Sequence, residues 1–261
     1  MNMFGLVYLM IGFFATCMGA LVGIGGGVVI KPALDFLGHY NISTINILTS
    51  ATVLSMAVVA IMQHVFKGLK FEKKITLFLS VGSFIGGVAG KLLFEKFVQL
   101  FDNSISTAIQ ALILALILFL IFLLAIRHIR EGESYQNVFS ILLCGILLGL
   151  IASFLGVGGG PVNVAILILF FRMNPKKSAV HSILIIIFSQ SSKLLLIAFD
   201  GGFSQYNLEM LYFMIPGGIL GGIIGTGLHN KISIEWTRKI YLASLIGIVI
   251  FNIIIVAKYL F

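Results

Sequence analysis

Charge is what this chain has least of. Asp, Glu, Lys and Arg together make up only 10% of its 261 residues, against about 25% in an average soluble domain. So few charges cannot cover a water-soluble protein of this length, which excludes soluble enzymes and nucleic-acid-binding domains. Cysteine is as scarce. Cys17 and Cys144 each stand alone in an apolar run, so there is neither a disulfide framework nor a metal-ligand spacing, and both read as small core residues. The 9 acidic residues, Asp35, Glu72, Glu95, Asp102, Glu131, Glu133, Asp200, Glu209 and Glu235, fall in loops or at the ends of apolar runs. The sequence therefore lacks the mid-membrane carboxylate that proton- and sodium-driven carriers commonly use, and an acid-free interior suits an anion. No G-x-S-x-G, H-E-x-x-H or Cys–His pair is present to do covalent or metal chemistry. The expectation is no enzyme and no cofactor.

Apolar residues fill the space. They make up 59% of the chain, with a mean hydropathy of +1.13. One membrane passage takes about 20 apolar residues, so the length holds seven or eight passages through a lipid bilayer and no soluble domain beside them. The net charge of +8 sits in short loops between apolar runs, where Lys and Arg act as topology determinants and do not mark a nucleic-acid partner. The N-terminus, MNMFGLVYLMIGFF, has no basic stretch and its first positive charge is Lys31. It does not read as a cleavable signal, and the first helix is expected to stay.

The chain reads as one unit written twice. Gly23-Ile24-Gly25-Gly26-Gly27 recurs as Gly156-Val157-Gly158-Gly159-Gly160, 133 residues later. At the same offset Asn41 meets Asn174, each just before an apolar run. The ladder Gly82, Gly86, Gly90 recurs as Gly217, Gly221, Gly225 at an offset of 135. Residues 1–126 and 136–261 are thus expected to be homologous membrane repeats joined by a linker at 127–135. In each, an apolar run enters the Gly string (5–22, 138–155) and a shorter one leaves it (28–38, 161–171). A long run (44–66, 178–199), the ladder helix (75–94, 210–228) and a closing helix (105–126, 237–257) follow. Asn174-Pro175 has the chemistry of a helix start. The ladders are small-residue faces on which helices pack closely.

Orientation separates two architectures. If every long run crosses, Lys+Arg divide eight against nine between the two faces, with no positive-inside bias. If each Gly string is the tip of a re-entrant hairpin, each repeat crosses three times and the second is inverted. One face then collects twelve and the other five, as the positive-inside rule expects. The predicted fold is therefore an all-α polytopic membrane protein of two repeats, inverted, each with four segments when the Gly-broken hairpin counts as one.

Gly in a helix interior costs about 1 kcal/mol relative to Ala, so four Gly in five residues break the helix. Unpaired backbone at membrane depth is tolerated only where protein or water covers it. The helix restarting at Val28 or Pro161 points free N–H groups and a positive dipole end at the break. Two such ends meeting near the midplane would bind an anion, with Gly23, Gly25, Gly26, Gly27, Gly156, Gly158, Gly159 and Gly160 as its backbone. The plain alternative is a kink used only for packing. Asn163, in the first turn after the second string, could donate to a bound oxyanion. Ser50, Ser182, Gln190 and Lys193 are further candidates within the long runs, with Lys193 either facing the solute or snorkelling to the surface. His64 and His181, near run ends, are candidate titrating groups.

With the doubled Gly string, Pro161 behind the second and Ala179-Val180-His181-Ser182 after it, the chain resembles the TauE/SafE family of sulfite and sulfonate exporters over its whole length. The resemblance implies a bacterial or archaeal inner-membrane transporter of anions such as sulfite, sulfonates or related organic acids. Lys31-Pro32, where the second repeat has Val164-Ala165, departs from symmetry and would put more positive charge near one string. The competing reading is a non-transporting membrane assembly protein, which gains nothing from two costly Gly breaks. A homo-oligomer is compatible with either, and the sequence names neither solute nor direction.

Overall fold

The computed structural model describes residues 3–68, 72–126 and 137–260; the linker at 127–135 lies outside them. Among the described residues the chain is all helix: α1 (Met3–Val22), α2 (Gly27–Leu37), α3 (Ile42–Phe66), α4 (Lys73–Leu100), α5 (Asn103–Ala125), α6 (Val138–Leu155), α7 (Gly160–Leu169), α8 (Pro175–Phe199), α9 (Leu211–Lys231) and α10 (Ile234–Leu260). Eight of them, all but α2 and α7, are long and apolar enough to cross a membrane. This is an integral membrane protein, and its many exposed Leu, Ile and Phe side chains are what a lipid-facing surface requires.

The elements come in matching series, α1–α5 and α6–α10, and so do their local signals. Asn41 caps α3 by accepting from the Thr44 N–H at 2.8 Å, and Asn174 caps α8 by accepting from the Lys177 N–H at 2.8 Å. Each Gly string ends one helix and starts the next. Gly25 and Gly26 take φ of +79° and +68°, and Gly158 and Gly159 take +80° and +68°, a region open to Gly and costly for other residues.

The ladders pack across the repeats. Along α9, Gly217, Gly221 and Gly225 lie against the backbone carbonyls of Leu9, Phe13 and Cys17 of α1. Along α4, Gly82, Gly86 and Gly90 lie against those of Leu142, Ile146 and Leu150 of α6. A Cβ at Gly221 or Gly86 would strike backbone, so the close approach depends on the missing side chains. Both pairs run parallel. The second ladder row of α9, Gly218 and Gly222, meets Thr52 and Met56 of α3. The start of α1 and the residues just past α2 also meet, with Tyr8 Oη 3.0 Å from His39 Nδ1.

Candidate functional site

The two Gly strings touch. A Cβ on Gly27 would strike the Val157 carbonyl, and one on Gly160 the Ile24 carbonyl. Ser182, on α8, bonds both strings: its Oγ donates to Gly23 O at 2.7 Å and to Gly160 O at 3.3 Å. Val53 and Ile186, near the middles of α3 and α8, flank Gly25 and Gly158. Gly26 and Gly159 face the backs of their own hairpins, against Ala15–Thr16 and Ala152.

Around this junction lies buried polar side-chain chemistry. Lys193 is 1% exposed. Its ammonium donates to Ser50 Oγ at 3.0 Å and to Asn46 O at 3.5 Å, so it turns toward α3 and does not snorkel. Asn46 presses its Oδ1 on Gly156, and neither of its amide atoms has a hydrogen-bond partner. Asn163 is fully buried with both amide atoms unpartnered, and its Oδ1 lies toward Gly159. Thr49 packs its methyl toward Gly27 and leaves its hydroxyl unpartnered. Gln190 is buried three residues before Lys193, bonded to Ser189 Oγ at 3.3 Å, with Oε1 unpartnered. Each unmade bond at a buried polar atom costs about 1–3 kcal/mol, so such a cluster is a place where a polar ligand would be accepted.

Asn46 and Thr49 were not among the residues the sequence singled out. Their signal was helical spacing: Asn46, Thr49 and Ser50 share one face of α3 at separations of three and four.

The buried lysines differ in their partners. Among the described residues Lys31, Lys91 and Lys193 are all at or below 3% exposure. Lys31 pairs with Asp35 at 2.8 Å. Lys91 pairs with Glu95 and Asp200. No carboxylate among the described residues pairs with Lys193. One expectation is corrected here. Asp35 lies in the last turn of α2, at the run end where the sequence puts it, and is buried there at 2% exposed. Lys31 adds no net charge near the first string, because Asp35, one helical turn on, neutralises it. His181 lies 2.6 Å from Thr76 Oγ1 through Nδ1. His64 is buried against His229 and not at the surface. Among the described residues no group of three or more His, Cys, Asp or Glu is placed to hold a metal ion.

A family model described as sulfite exporter TauE/SafE matches residues 8–252. The chain is similar to the "probable membrane transporter protein YunE" of Bacillus subtilis (strain 168), at 25% identity over 86% of this chain and 88% of that one. It is also similar to the "probable membrane transporter protein MJ0441" of Methanocaldococcus jannaschii, at 25% identity over 92% of this chain and 91% of that one. No solved structure matches the chain significantly.

Proposed function

The chain belongs to the TauE/SafE family of membrane proteins, and on that premise we propose that it moves a small anion through the junction of the two Gly strings. The class of solute is an oxyanion such as sulfite, a sulfonate or a related organic acid, and the site is the plasma membrane of a bacterial or archaeal cell. The observation that carries this reading is Lys193. An isolated ammonium buried away from water is costly unless paired, and Lys193 is buried with neutral oxygens only. An incoming anion supplies the missing counter-charge. Asn46 and Asn163 offer amide N–H donors with nothing to bond, and the first turns of α2 and α7 bring their positive dipole ends to the same place. Gly23, Gly25, Gly26, Gly27, Gly156, Gly158, Gly159 and Gly160 form the floor, and Ser50, Ser182 and Gln190 its polar edge.

In this reading residues 1–126 and 136–261 are inverted repeats, each opening with a re-entrant hairpin. The Tyr8–His39 bond supports the hairpin, since it sets the two open ends of α1 and α2 side by side. Inversion is supported by the closing helices. Arg238, near the start of α10, donates to the carbonyls of Ala125 and Ile126 at the end of α5, at 3.2 and 2.9 Å. That is the contact that closing helices running in opposite directions would make. Lys67 and Lys177 then share the cytoplasmic face. Single cysteines at those positions, labelled from one side at a time, test it; labelling from opposite faces overturns the inversion.

The solute class is tested by uptake into proteoliposomes across sulfur oxyanions and small carboxylates. Saturable movement of at least one of them that depends on Lys193 is expected. Absence of movement for all of them favours a non-transporting assembly protein.

A further inference from the structure

One buried cluster stands apart from the junction. His64, in the last turn of α3, is fully buried, and neither ring nitrogen has a hydrogen-bond partner. Its ring meets that of His229 on α9 edge to face, with centroids 5.5 Å apart and planes at 84°. His229 Nδ1 lies 2.7 Å from the carbonyl of Leu21. That oxygen can only accept, so Nδ1 carries a proton and Nε2 is the basic nitrogen of the neutral ring. Leu21 is in the last turn of α1, two residues before Gly23, the start of the first Gly string. One turn back along α9, the buried Thr226 hydroxyl is also without a partner.

The second hairpin is anchored at the same point by different chemistry. The carbonyl equivalent to that of Leu21 is Phe154 O, and it accepts from Gln110 Nε2 at 2.7 Å. An amide cannot change its charge and an imidazole can. The residue at the ladder-helix position equivalent to His229 is Phe94, and the one equivalent to His64 is Ile197. A titratable anchor is therefore present at one string and missing at the other.

We propose that His64 and His229 form a binding site for one proton, whose occupancy shifts the end of α1 and with it the first Gly string. It rests on the transport reading for its consequence, which is that protons set the rate of anion movement without driving it. Two imidazolium rings at this separation repel each other in a buried setting, so the pair takes one proton and not two. The basic nitrogen of the other ring can accept the added N–H. Bringing the rings together moves α9 against α3, and Leu21 O follows through its bond to His229. Lys67 at the end of α3 and Lys176 at the start of α8 act electrostatically on the pair. Lys176 is held by the carbonyls of Asn230 and Ile232. Cys17 on α1 faces α9 at Gly225, and Lys231 closes α9. No carboxylate among the described residues pairs with either ring, so the charge rests on neutral groups, the partner ring among them.

Two measurements test the pair independently. The first is NMR of histidine-labelled protein in lipid nanodiscs, titrated with acid. The expected result is one shared titration that both rings report and that collapses to an ordinary single site in His64→Gln. Two independent titrations in the wild-type protein overturn the proposal, whether or not the chain transports anything. The second is anion flux in liposomes with equal pH on both sides. His229→Gln keeps a donor to Leu21 O, copying Gln110, and should retain flux while flattening its pH profile. A His229→Gln protein with the wild-type profile overturns the link between the proton and the string.

Discussion

At the first Gly string the last turn of α1 is held by an imidazole, the α2 lysine is cancelled by Asp35, and the residue equivalent to Asn163 is Ile30. At the second, the last turn of α6 is held by an amide and Asn163 lies buried with free amide atoms. Lys193 and Asn46 likewise have Ala60 and Ala179 at their equivalent positions. The backbone contacts of the junction come in matched pairs, with Gly27 on Val157 O and Gly160 on Ile24 O, and so do the hydroxyls of Thr49 and Ser182, while its ammonium and amide groups are single. Duplication supplies two facing helix ends, and divergence supplies one charge. One buried ammonium suits a monovalent anion bound once, and not a pair of ions bound symmetrically.

Substitutions that respect the duplication should hit both repeats equally, and substitutions of the single residues should not. The largest effect is expected from Gly26→Leu and Gly159→Leu. Each side chain would enter the space of its own hairpin at Ala15–Thr16 or Ala152, and both should abolish transport while membrane insertion persists. Full flux in either variant removes the strings from the pathway. Next is Lys193→Met, expected to raise the half-saturation concentration by about tenfold or more, equivalent to roughly 1.4 kcal/mol. Lys193→Arg should raise it less, and Ala60→Met not at all. An unchanged value in Lys193→Met makes the lysine structural. Asn46→Ala should weaken anion binding several-fold without lowering thermal stability in the absence of anion, since it removes two unpartnered buried atoms at a cost of only about 1–3 kcal/mol each while they were present. A Tm that falls sharply would show that Asn46 serves packing alone. The smallest effect is expected at the caps. Asn41→Ala and Asn174→Ala should each cost about 1 kcal/mol, and a marked inequality in detergent unfolding would show that the repeats fold with unequal support.

Much of the architecture was legible before any coordinate. The matched Gly strings, ladders and Asn caps fall at near-constant offsets, and the ends of α6 and α8 match the apolar runs to within a few residues. α4 is longer than the sequence suggested, reaching Leu100, because Glu95 ends the apolar run in a hydropathy reading yet pairs with Lys91 one turn back on the same helical face. The burial of Asp35 was missed for a similar reason. A charge at an apolar run's end reads as solvated unless its partner one turn away is noticed. In the site, Lys193 and Asn163 could be singled out because a polar residue in an apolar helix is conspicuous. What could not be read was which of them meet. The cross-repeat pairing of α1 with α9 and α4 with α6 is a tertiary choice, and it brings His229 to Leu21 O and Asn46 to Gly156 from far along the chain.

In the proposed reading a single buried positive charge takes an anion and releases it down the electrical gradient. A monovalent anion leaving a negative interior gains about 2.3 kcal/mol per 100 mV, roughly a fiftyfold concentration ratio, so export of such an anion would need no coupled ion. The direct test is anion flux in liposomes carrying the purified protein, with the potential clamped by potassium and valinomycin and the pH equal on both sides. Net flux should reverse when the imposed potential reverses sign, and should fall strongly in Lys193→Met. Flux that ignores the potential and follows an imposed pH gradient would contradict it.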